Sequence, residues 1–318
     1  MNTRHYRPKV GLILGSGSAR GWAHIGVIKE LNKAGIQPDI VCGTSIGALV
    51  GAVYAGGHLD ELEKWVTSLR LKDVVSFMDL TLTGGVLKGE RLMAFFRQKF
   101  KDCDIEELNV PFGAVATSLY SGAEIWLRSG STLGAVRASI ALPALFAPVR
   151  HNGQILVDGG LVNPVPVSLA RAMGADILIA VDLNSDLLGR HLRRGEQPES
   201  NSRSPSPEQP DSEQGSEWVK RIQNNLNALL PTWNDNEQED LPEVPSFLDV
   251  VASSINIMQE RITRSRMVGE PPHITIAPRL SHLGLLDFHR AEEAIEAGAR
   301  TARECIAAIK AFDIRTSG

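Results

Sequence analysis

A serine flanked by glycines is a candidate nucleophile in this sequence. Residues 43–47 read Gly-Thr-Ser-Ile-Gly and fit the pattern G-x-S-x-G, in which a serine occupies a tight turn between a strand and a helix. The turn exposes the Ser45 hydroxyl and crowds the positions two residues before and after it, which favours Gly43 and Gly47. The following helix directs its N-terminal N–H groups at the site, where an oxyanion would form. The alternative is a glycine turn that only packs a helix against a sheet.

A glycine-rich turn near the N-terminus is a candidate anion-binding loop. Residues 15–21 follow an apolar run and open a helical pattern. A dinucleotide fingerprint would need a third glycine where Arg20 stands, and no P-loop pattern is present. Backbone N–H groups of such a turn, at a helix N-terminus, can instead hold an oxyanion. We expect Arg20 either to add positive charge to this hole or to fix its loop, and we expect the hole to be built from Gly15, Gly17, Ser18, Ala19, Arg20 and Gly21.

Asp158 is a candidate base for the serine. A serine hydroxyl is a weak nucleophile and needs a neighbouring proton acceptor. Asp158 follows the strand-like run 155–157 and precedes Gly159 and Gly160, which would let another backbone approach. The alternative for this residue is an ordinary Asp-Gly turn.

A histidine base is the other possibility, because α/β-hydrolases place a histidine after the serine and the acid in the chain. None of the histidines after Ser45 stands behind a strand with glycine support. Two of them flank a predicted helix start, where capping explains them. These histidines are His58, His151, His191, His273, His282 and His289.

Two strand-turn-helix units begin the chain and would position the serine and the glycine loop. Val10–Leu14 is a buried strand, a helix ends near Gly35, a strand spans Asp39–Cys42, and a helix spans Ile46–Tyr54. Such a βαβα order predicts a parallel sheet, whose neighbouring strands end at the same edge. Further strands are predicted at Phe112–Ser118, Glu124–Arg128, Ile155–Val157, Ala175–Val181 and Ile274–Ile276, with a last helix at Phe288–Ile309.

Composition excludes several classes of protein. The 318 residues are 43% hydrophobic, which is enough for one sizeable core, and the net charge of −4 argues against a nucleic-acid partner. The three cysteines show neither metal-ligand spacing nor a disulfide framework, and no signal peptide is visible, so we expect a cytoplasmic location. The uncharged stretch Ile40–Gly57 is too short and too rich in glycine for a membrane span.

Residues 186–245 interrupt the strand and helix pattern. Their central part, 196–216, consists largely of Ser, Pro, Glu, Gln, Asn and Arg, which cannot bury enough apolar surface to offset the entropy of ordering. We expect a flexible low-complexity insertion within a single domain of residues 1–318, because the strand pattern resumes after it. An apolar helical face between Trp218 and Leu230 predicts either a helix packed on the core or a lid that touches lipid.

Taken together, the motifs resemble those of bacterial patatin-like phospholipases. The resemblance is strongest to the RssA-type subgroup, which is related to the catalytic domain of neuropathy target esterase. It rests on the glycine loop 15–27, the elbow 43–47 and the run 158–160, with 137–139 and 162–166 between them, and it covers nearly the whole chain except the insertion. The resemblance implies an α/β fold of three layers, α/β/α, with a mostly parallel central sheet.

The resemblance also implies a function. Such a protein would be a serine acyl hydrolase that cleaves carboxylic ester bonds of lipids or phospholipids. Its catalytic dyad would be Ser45 and Asp158, without histidine, and the loop at Gly17 and Ser18 would supply the oxyanion donors. No cofactor and no metal are expected. The partners would be a lipid or ester substrate and, transiently, the inner face of a membrane.

One feature of the sequence bears on the substrates of such an enzyme, and two other functions are alternatives. Ser16 and Ser18 replace glycines of the family's usual loop, which bears on the range of substrates. A catalytically weak regulatory or scaffold protein is the alternative function, and a nucleotide-binding module is a weaker one. The sequence carries no indication of the oligomeric state.

Overall fold

The fold is built on a sheet of eight strands. A computed structural model describes residues 7–77, 96–97, 102–143, 145–187 and 247–312. The strands lie in the order β5-β6-β3-β2-β1-β7-β8, and β4 also pairs with β3. Their bounds are β1 Val10–Leu14, β2 Ile40–Thr44, β3 Phe112–Ser118, β4 Glu124–Leu127, β5 Val149–His151, β6 Gln154–Asp158, β7 Ile177–Val181 and β8 Ile274–Ile276.

Helices connect and cover these strands. Short 3-10 turns occupy Ser18–Trp22, Ile105–Glu107 and Gly159–Leu161. The α-helices of the described residues are α1 Ala23–Lys33, α2 Ile46–Ala55, α3 Leu59–Ser68, α4 Leu71–Phe77, α5 Thr132–Ser139, α6 Val167–Ala172, α7 Phe247–Gly269 and α8 Ala291–Lys310.

The sheet is mostly parallel, as predicted. The strands β3, β2, β1, β7 and β8 run in one direction, whereas β4 and β6 are antiparallel to β3 and β5 is antiparallel to β6. Every residue of β1, β2 and β7 is buried, as expected for parallel strands that are covered on both faces. The β5–β6 hairpin turns at Asn152 and Gly153, both of which have positive φ.

Two separate hydrophobic clusters lie on the two faces of the sheet. Leu12 and Leu14 of β1 belong to the cluster that includes α1, α2 and α8. Ile13, between them, belongs to the other cluster, together with Cys42 of β2 and Leu169 of α6. Successive strand residues point to opposite faces, so a strand buried on both sides feeds both clusters. The predicted three-layer α/β/α arrangement is confirmed.

The sequence prediction differs from the structure in two places near the site. Gly43 and Thr44, predicted to lie in a turn, belong to β2, so the turn between β2 and α2 is reduced to Ser45. The long helix α7 was not predicted. Its apolar residues are interrupted by Asn256, Gln259 and Glu260, which break the pattern of an ordinary amphipathic helix.

The remaining predictions concern the insertion and the membrane. Apart from Asp186 and Leu187, the predicted insertion 186–245 lies outside the described residues, and so does its apolar face between Trp218 and Leu230. The description resumes at the start of α7. Within the described ranges, no helix combines the length and the apolarity that crossing a membrane requires. The uncharged stretch Ile40–Gly57 forms β2, the turn at Ser45 and α2.

Candidate active site

Ser45 directly follows β2, and Asp158 is the last residue of β6. Both strands pair with the same edge of β3. Because β4 pairs with β3 over Ala114–Thr117, β2 and β6 must share the opposite edge. On that edge Thr44 of the parallel β2 lies opposite Val115, and Asp158 of the antiparallel β6 lies opposite Ala116. The carboxyl ends of the two strands therefore face each other at successive positions of β3. This arrangement brings Ser45 to Asp158.

Ser45 occupies a strained turn. Its φ of 56° and ψ of −125° lie where a residue with a Cβ is seldom found, and such strain is concentrated at functional sites. Its N–H donates to Ser139 Oγ at 2.8 Å, and that hydroxyl donates to Val115 O at 2.6 Å. Ser45 Oγ donates to Asp158 Oδ2 at 2.6 Å. The hydroxyl of the serine is therefore already directed at a carboxylate.

The two elbow glycines lie against backbone. A Cβ on Gly43 would lie 2.4 Å from Gly47 O, and a Cβ on Gly47 would lie 2.1 Å from Leu14 O. Both distances are far shorter than a non-bonded contact allows. Only glycine lets β1, β2 and α2 approach this closely, and this geometry agrees with the steric reasoning from the motif.

Asp158 is fully buried and well supplied with hydrogen bonds. Its Oδ1 accepts from Gly160 N at 2.7 Å, and Thr117 Oγ1 donates to its backbone oxygen at 2.7 Å. Burial raises the pKa of Asp158 to about 7, although the hydrogen bonds from Ser45 and Gly160 oppose that rise. Gly159 leaves no room for a side chain, since a Cβ would lie 2.2 Å from Val115 O. A carboxylate with a pKa near neutrality is suited to general base catalysis.

The glycine loop lies beside Ser45, and only part of it has free backbone donors. Gly17 and Ser18 line the same cavity as Ser45, and their N–H groups have no hydrogen-bond partner within the described residues. Gly21 has a steric role, because a Cβ there would lie 2.2 Å from Ile46 Cγ1. Four other N–H groups of the loop already donate to backbone carbonyls at 2.9–3.2 Å, namely those of Gly15, Ser16, Ala19 and Arg20. The candidate donors therefore narrow to Gly17 and Ser18.

Arg20 makes contacts that fix the loop. It is 1% exposed, and its Nε donates to Gly17 O at 3.1 Å. Its Nη2 donates to Asn256 Oδ1 at 2.8 Å. Burial lowers the pKa of Arg20 to about 10, so the guanidinium stays charged at neutral pH. Of the two roles left open by the sequence, these contacts favour the fixing of the loop.

His24 supports the loop from inside α1. Its ring is fully buried, and its Nε2 lies 2.8 Å from Gly15 O. Burial lowers the pKa of His24 to about 4, so the ring is neutral near pH 7 and its Nε2–H can donate to that carbonyl. The sequence analysis gave no role to His24 or Ser139, although both lie in runs that carry the resemblance, and it did not single out Thr117. Only the position of His24 close behind the glycine loop could have indicated it.

The histidine alternatives that the structure describes do not line the cavity at Ser45. No histidine is found among the described residues that line the cavity at Ser45. His282 Nε2 lies 2.6 Å from Glu293 Oε1 at the surface, and His273 Nδ1 accepts from Leu178 N at 3.0 Å. His191 lies outside the described residues.

The cavity at Ser45 is lined mainly by apolar side chains. It holds about 1040 Å³ between protein atoms, and part of that space is open to solvent. No charged side chain lines it within the described part of the chain. Its large apolar residues include Trp22, Leu49, Trp65, Phe96, Leu142, Phe146 and Phe288. Such a lining fits a hydrocarbon chain, because burying apolar surface is favourable.

Comparison with known proteins connects this geometry to a family. Residues 12–171 match the family model of patatin-like phospholipases. An uncharacterised NTE family protein of Mycobacterium tuberculosis is 32% identical over 96% of this chain and 93% of its own length. Human patatin-like phospholipase domain-containing protein 6 is 38% identical over 183 residues, which cover 55% of this chain and 13% of that protein.

A solved structure supports the fold. VipD from Legionella pneumophila matches with a TM-score of 0.52 over 95% of this chain and 67% of that chain, at 13% identity. A match at that identity supports the architecture alone. The family assignment rests on the matched family model and on the relatives that are similar along the whole chain. The chain therefore belongs to the patatin-like phospholipase family, as its sequence motifs predicted, and it is similar over nearly its full length to NTE family proteins.

Proposed function

We propose that this protein is a serine acyl hydrolase that cleaves carboxylic ester bonds of lipids or phospholipids through a dyad of Ser45 and Asp158. Membership of the family supports lipid acyl hydrolysis in general. The observation that carries the finer proposal is the 2.6 Å hydrogen bond from Ser45 Oγ to Asp158 Oδ2, beside an apolar cavity. A nucleophile that donates directly to a base is the arrangement that covalent catalysis needs.

Acylation begins as Asp158 accepts the proton of Ser45 and the serine oxygen attacks the ester carbonyl carbon. The carbonyl oxygen becomes an oxyanion, which the N–H groups of Gly17 and Ser18 and the N-terminus of α2 stabilise. The tetrahedral intermediate then collapses and the bond to the alcohol breaks. Protonated Asp158 gives its proton to the departing alkoxide, and the acyl group stays on Ser45.

Deacylation repeats these steps with water as the nucleophile. Asp158 removes a proton from water, which attacks the acyl carbonyl carbon, and the same backbone donors hold the second oxyanion. The collapse of this intermediate releases the carboxylic acid and returns the proton from Asp158 to Ser45 Oγ. The apolar cavity would hold the acyl chain throughout, with the polar part of the lipid toward solvent.

Hydrolysis of p-nitrophenyl butyrate and of a phospholipid tests the proposal. We expect Ser45→Ala to reduce kcat by about a million-fold, to background, since it removes the nucleophile. We expect Asp158→Ala to reduce kcat by about 100-fold to 10,000-fold, the usual contribution of a general base. Circular dichroism checks that both variants fold, and a fluorophosphonate probe should label the wild type at Ser45.

His282→Ala and His289→Ala are the matched controls, and both should keep wild-type kcat. If one of them abolishes turnover while Asp158→Ala does not, a histidine mechanism replaces the dyad. If the wild type hydrolyses neither ester and the probe leaves Ser45 unlabelled, the regulatory or scaffold function is favoured instead.

A further inference from the structure

Helix α7 contacts the glycine loop and the aspartate side of the dyad together. Asn256 and Gln259, one turn apart on this helix, both line the cavity at Ser45. Asn256 accepts the hydrogen bond from Arg20, which in turn holds Gly17 O. Gln259 is 5% exposed and lies deeper, between the loop and the turn that follows β6. A polar helix face is therefore buried at the site.

The carboxamide of Gln259 is in contact with both halves of the site. Its Oε1 accepts from Ser16 Oγ at 2.8 Å and from Asn184 Nδ2 at 3.3 Å. Its Nε2 packs against Gly160 so closely that a Cβ added there would lie 2.4 Å from it. Ser16 directly precedes the candidate donor Gly17, and Gly160 N donates to Asp158 Oδ1.

Gln259 therefore lies between the two groups that the proposed mechanism requires to act together. The oxyanion donors and the base have to be held within a fraction of an ångström of the productive geometry. Backbone bonds join the loop to β7, from Gly15 N to Val181 O, and to the segment that follows the Asp158 turn, from Ser16 N to Pro164 O. The side chain of Gln259 adds a contact with the turn itself, because it bonds to Ser16 and packs against Gly160. A buried amide also carries a cost of desolvation, which its hydrogen bonds offset.

We propose that Gln259 is a positioning residue of this enzyme, which holds the glycine loop at its working distance from the Asp158 turn through the hydrogen bond with Ser16. The proposal rests on the proposed serine hydrolase function. It gives the buried face of α7, the helix that follows the predicted insertion, a role in positioning the site. Gln259 itself does not touch the reacting atoms.

A double-mutant cycle between Gln259 and Ser16 tests this proposal in the full-length chain. Gln259→Met keeps the length of the side chain without its acceptor, and Ser16→Ala removes the donor. Each should lower the kcat for p-nitrophenyl butyrate by about 10-fold to 100-fold, with KM within about threefold, because misplacement affects the transition state more than binding. The double variant should be no more than about threefold slower than the slower single variant, because one bond is lost in all three.

Fluorophosphonate titration counts the active sites, so kcat is expressed per reactive Ser45. A partly unfolded preparation therefore does not lower the measured kcat. Ile257→Ala is the matched control, since Ile257 lies on α7 with 42% of its surface exposed. Its kcat should stay within about twofold of the wild type, as is usual for surface substitutions.

Three results would overturn the proposal while the proposed function stands. Gln259→Met with wild-type kcat per labelled site, and only a lower Tm, would make Gln259 a structural residue. Fully additive effects in the cycle would show that the bond to Ser16 is not the coupling. If Gln259→Met fails to fold, Ser16→Ala alone decides, and its wild-type kcat would refute the proposal. A wild type without turnover or labelling would refute the proposed function itself, and this inference with it.

Discussion

Ser45 and Asp158 differ in backbone strain and in exposure to solvent, although they share one hydrogen bond. Ser45 has a φ of 56° and follows β2, where Gly43 packs directly against the backbone of α2. Asp158 has an ordinary φ of −51° and is completely buried. The position of Ser45 at the start of α2 directs the positive end of the helix dipole at the serine. Burial away from water raises the pKa of Asp158. The serine side should therefore respond to changes of shape, and the aspartate side to changes of pH and charge.

The pH dependence of turnover tests the aspartate side most strongly. Asp158 must be ionised to accept a proton, and its pKa is raised to about 7. We expect kcat/KM to fall about tenfold per pH unit below that value and to level off above it, so about 100-fold separates pH 5 from pH 8. The measurement is a pH–rate profile with p-nitrophenyl butyrate. A flat profile across this range would show that no carboxyl group titrates there as the base.

The same burial predicts that Asp158 lowers stability at high pH. Its pKa in the folded protein, about 7, lies above its ordinary value of 3.8, so its contribution is favourable below about pH 4 and is lost as pH rises to about 7. Asp158→Asn does not titrate. Its gain in the free energy of unfolding over the wild type should therefore grow between pH 5 and pH 8, by on the order of 2 kcal/mol.

Urea unfolding at the two pH values measures this difference. Ser45→Ala is the matched control, because it is also inactive but keeps the buried carboxyl group. An equal gain for Asp158→Asn at pH 5 and pH 8 would contradict the raised pKa.

Substitution of Arg20 tests the serine side with a smaller effect. We expect Arg20→Met to lower kcat by about tenfold, because the glycine loop loses its link to Asn256. Arg20→Lys keeps the charge but not the planar fork that reaches both Gly17 O and Asn256 Oδ1, so it should be impaired to a similar degree.

Lys33→Met, a change of an exposed cation on α1, is the control for loss of charge and should leave kcat unchanged. If Arg20→Lys restores full activity while Arg20→Met does not, the positive charge of Arg20 matters and the anchoring does not.

Much of the site was predicted from the sequence because its motifs are local. The elbow at Ser45 and the loop at Gly17 show in the sequence as glycines a few positions apart. Gly43 packs within the elbow, whereas Gly47 packs against Leu14 and Gly17 against Leu183. The strands β1, β3 and β8 were predicted to the residue because apolar runs bounded by turns mark them clearly. Asp158 was a candidate because it follows a strand-like run and precedes two glycines, and the resemblance to patatin-like phospholipases distinguished it from an ordinary Asp-Gly turn.

The rest of the site depends on residues distant in the chain. The hydrogen bond from Arg20 to Asn256 joins residues that are 236 positions apart in the chain, and the one from Ser16 to Gln259 joins residues that are 243 positions apart. No local spacing encodes such pairs, and α7, which supplies both partners, does not show a regular amphipathic pattern. Which of the loop N–H groups remain free for an oxyanion also depended on partners elsewhere, such as Val181 O and Leu285 O.

The sequence by itself determined the order of strands and helices at the start of the chain and the candidate nucleophile, because short-range sterics and hydrophobic patterning act along the chain. Its motifs also determined the family, and the resemblance to that family implied the candidate base. The tertiary structure decided that β6 approaches β2 end to end along β3, and it decided how deeply Asp158 is buried. Strand pairing and desolvation arise only when distant segments pack together. The raised pKa of Asp158 is therefore a property of the fold, whereas the position of Ser45 in a turn between a strand and a helix is already indicated by five consecutive residues.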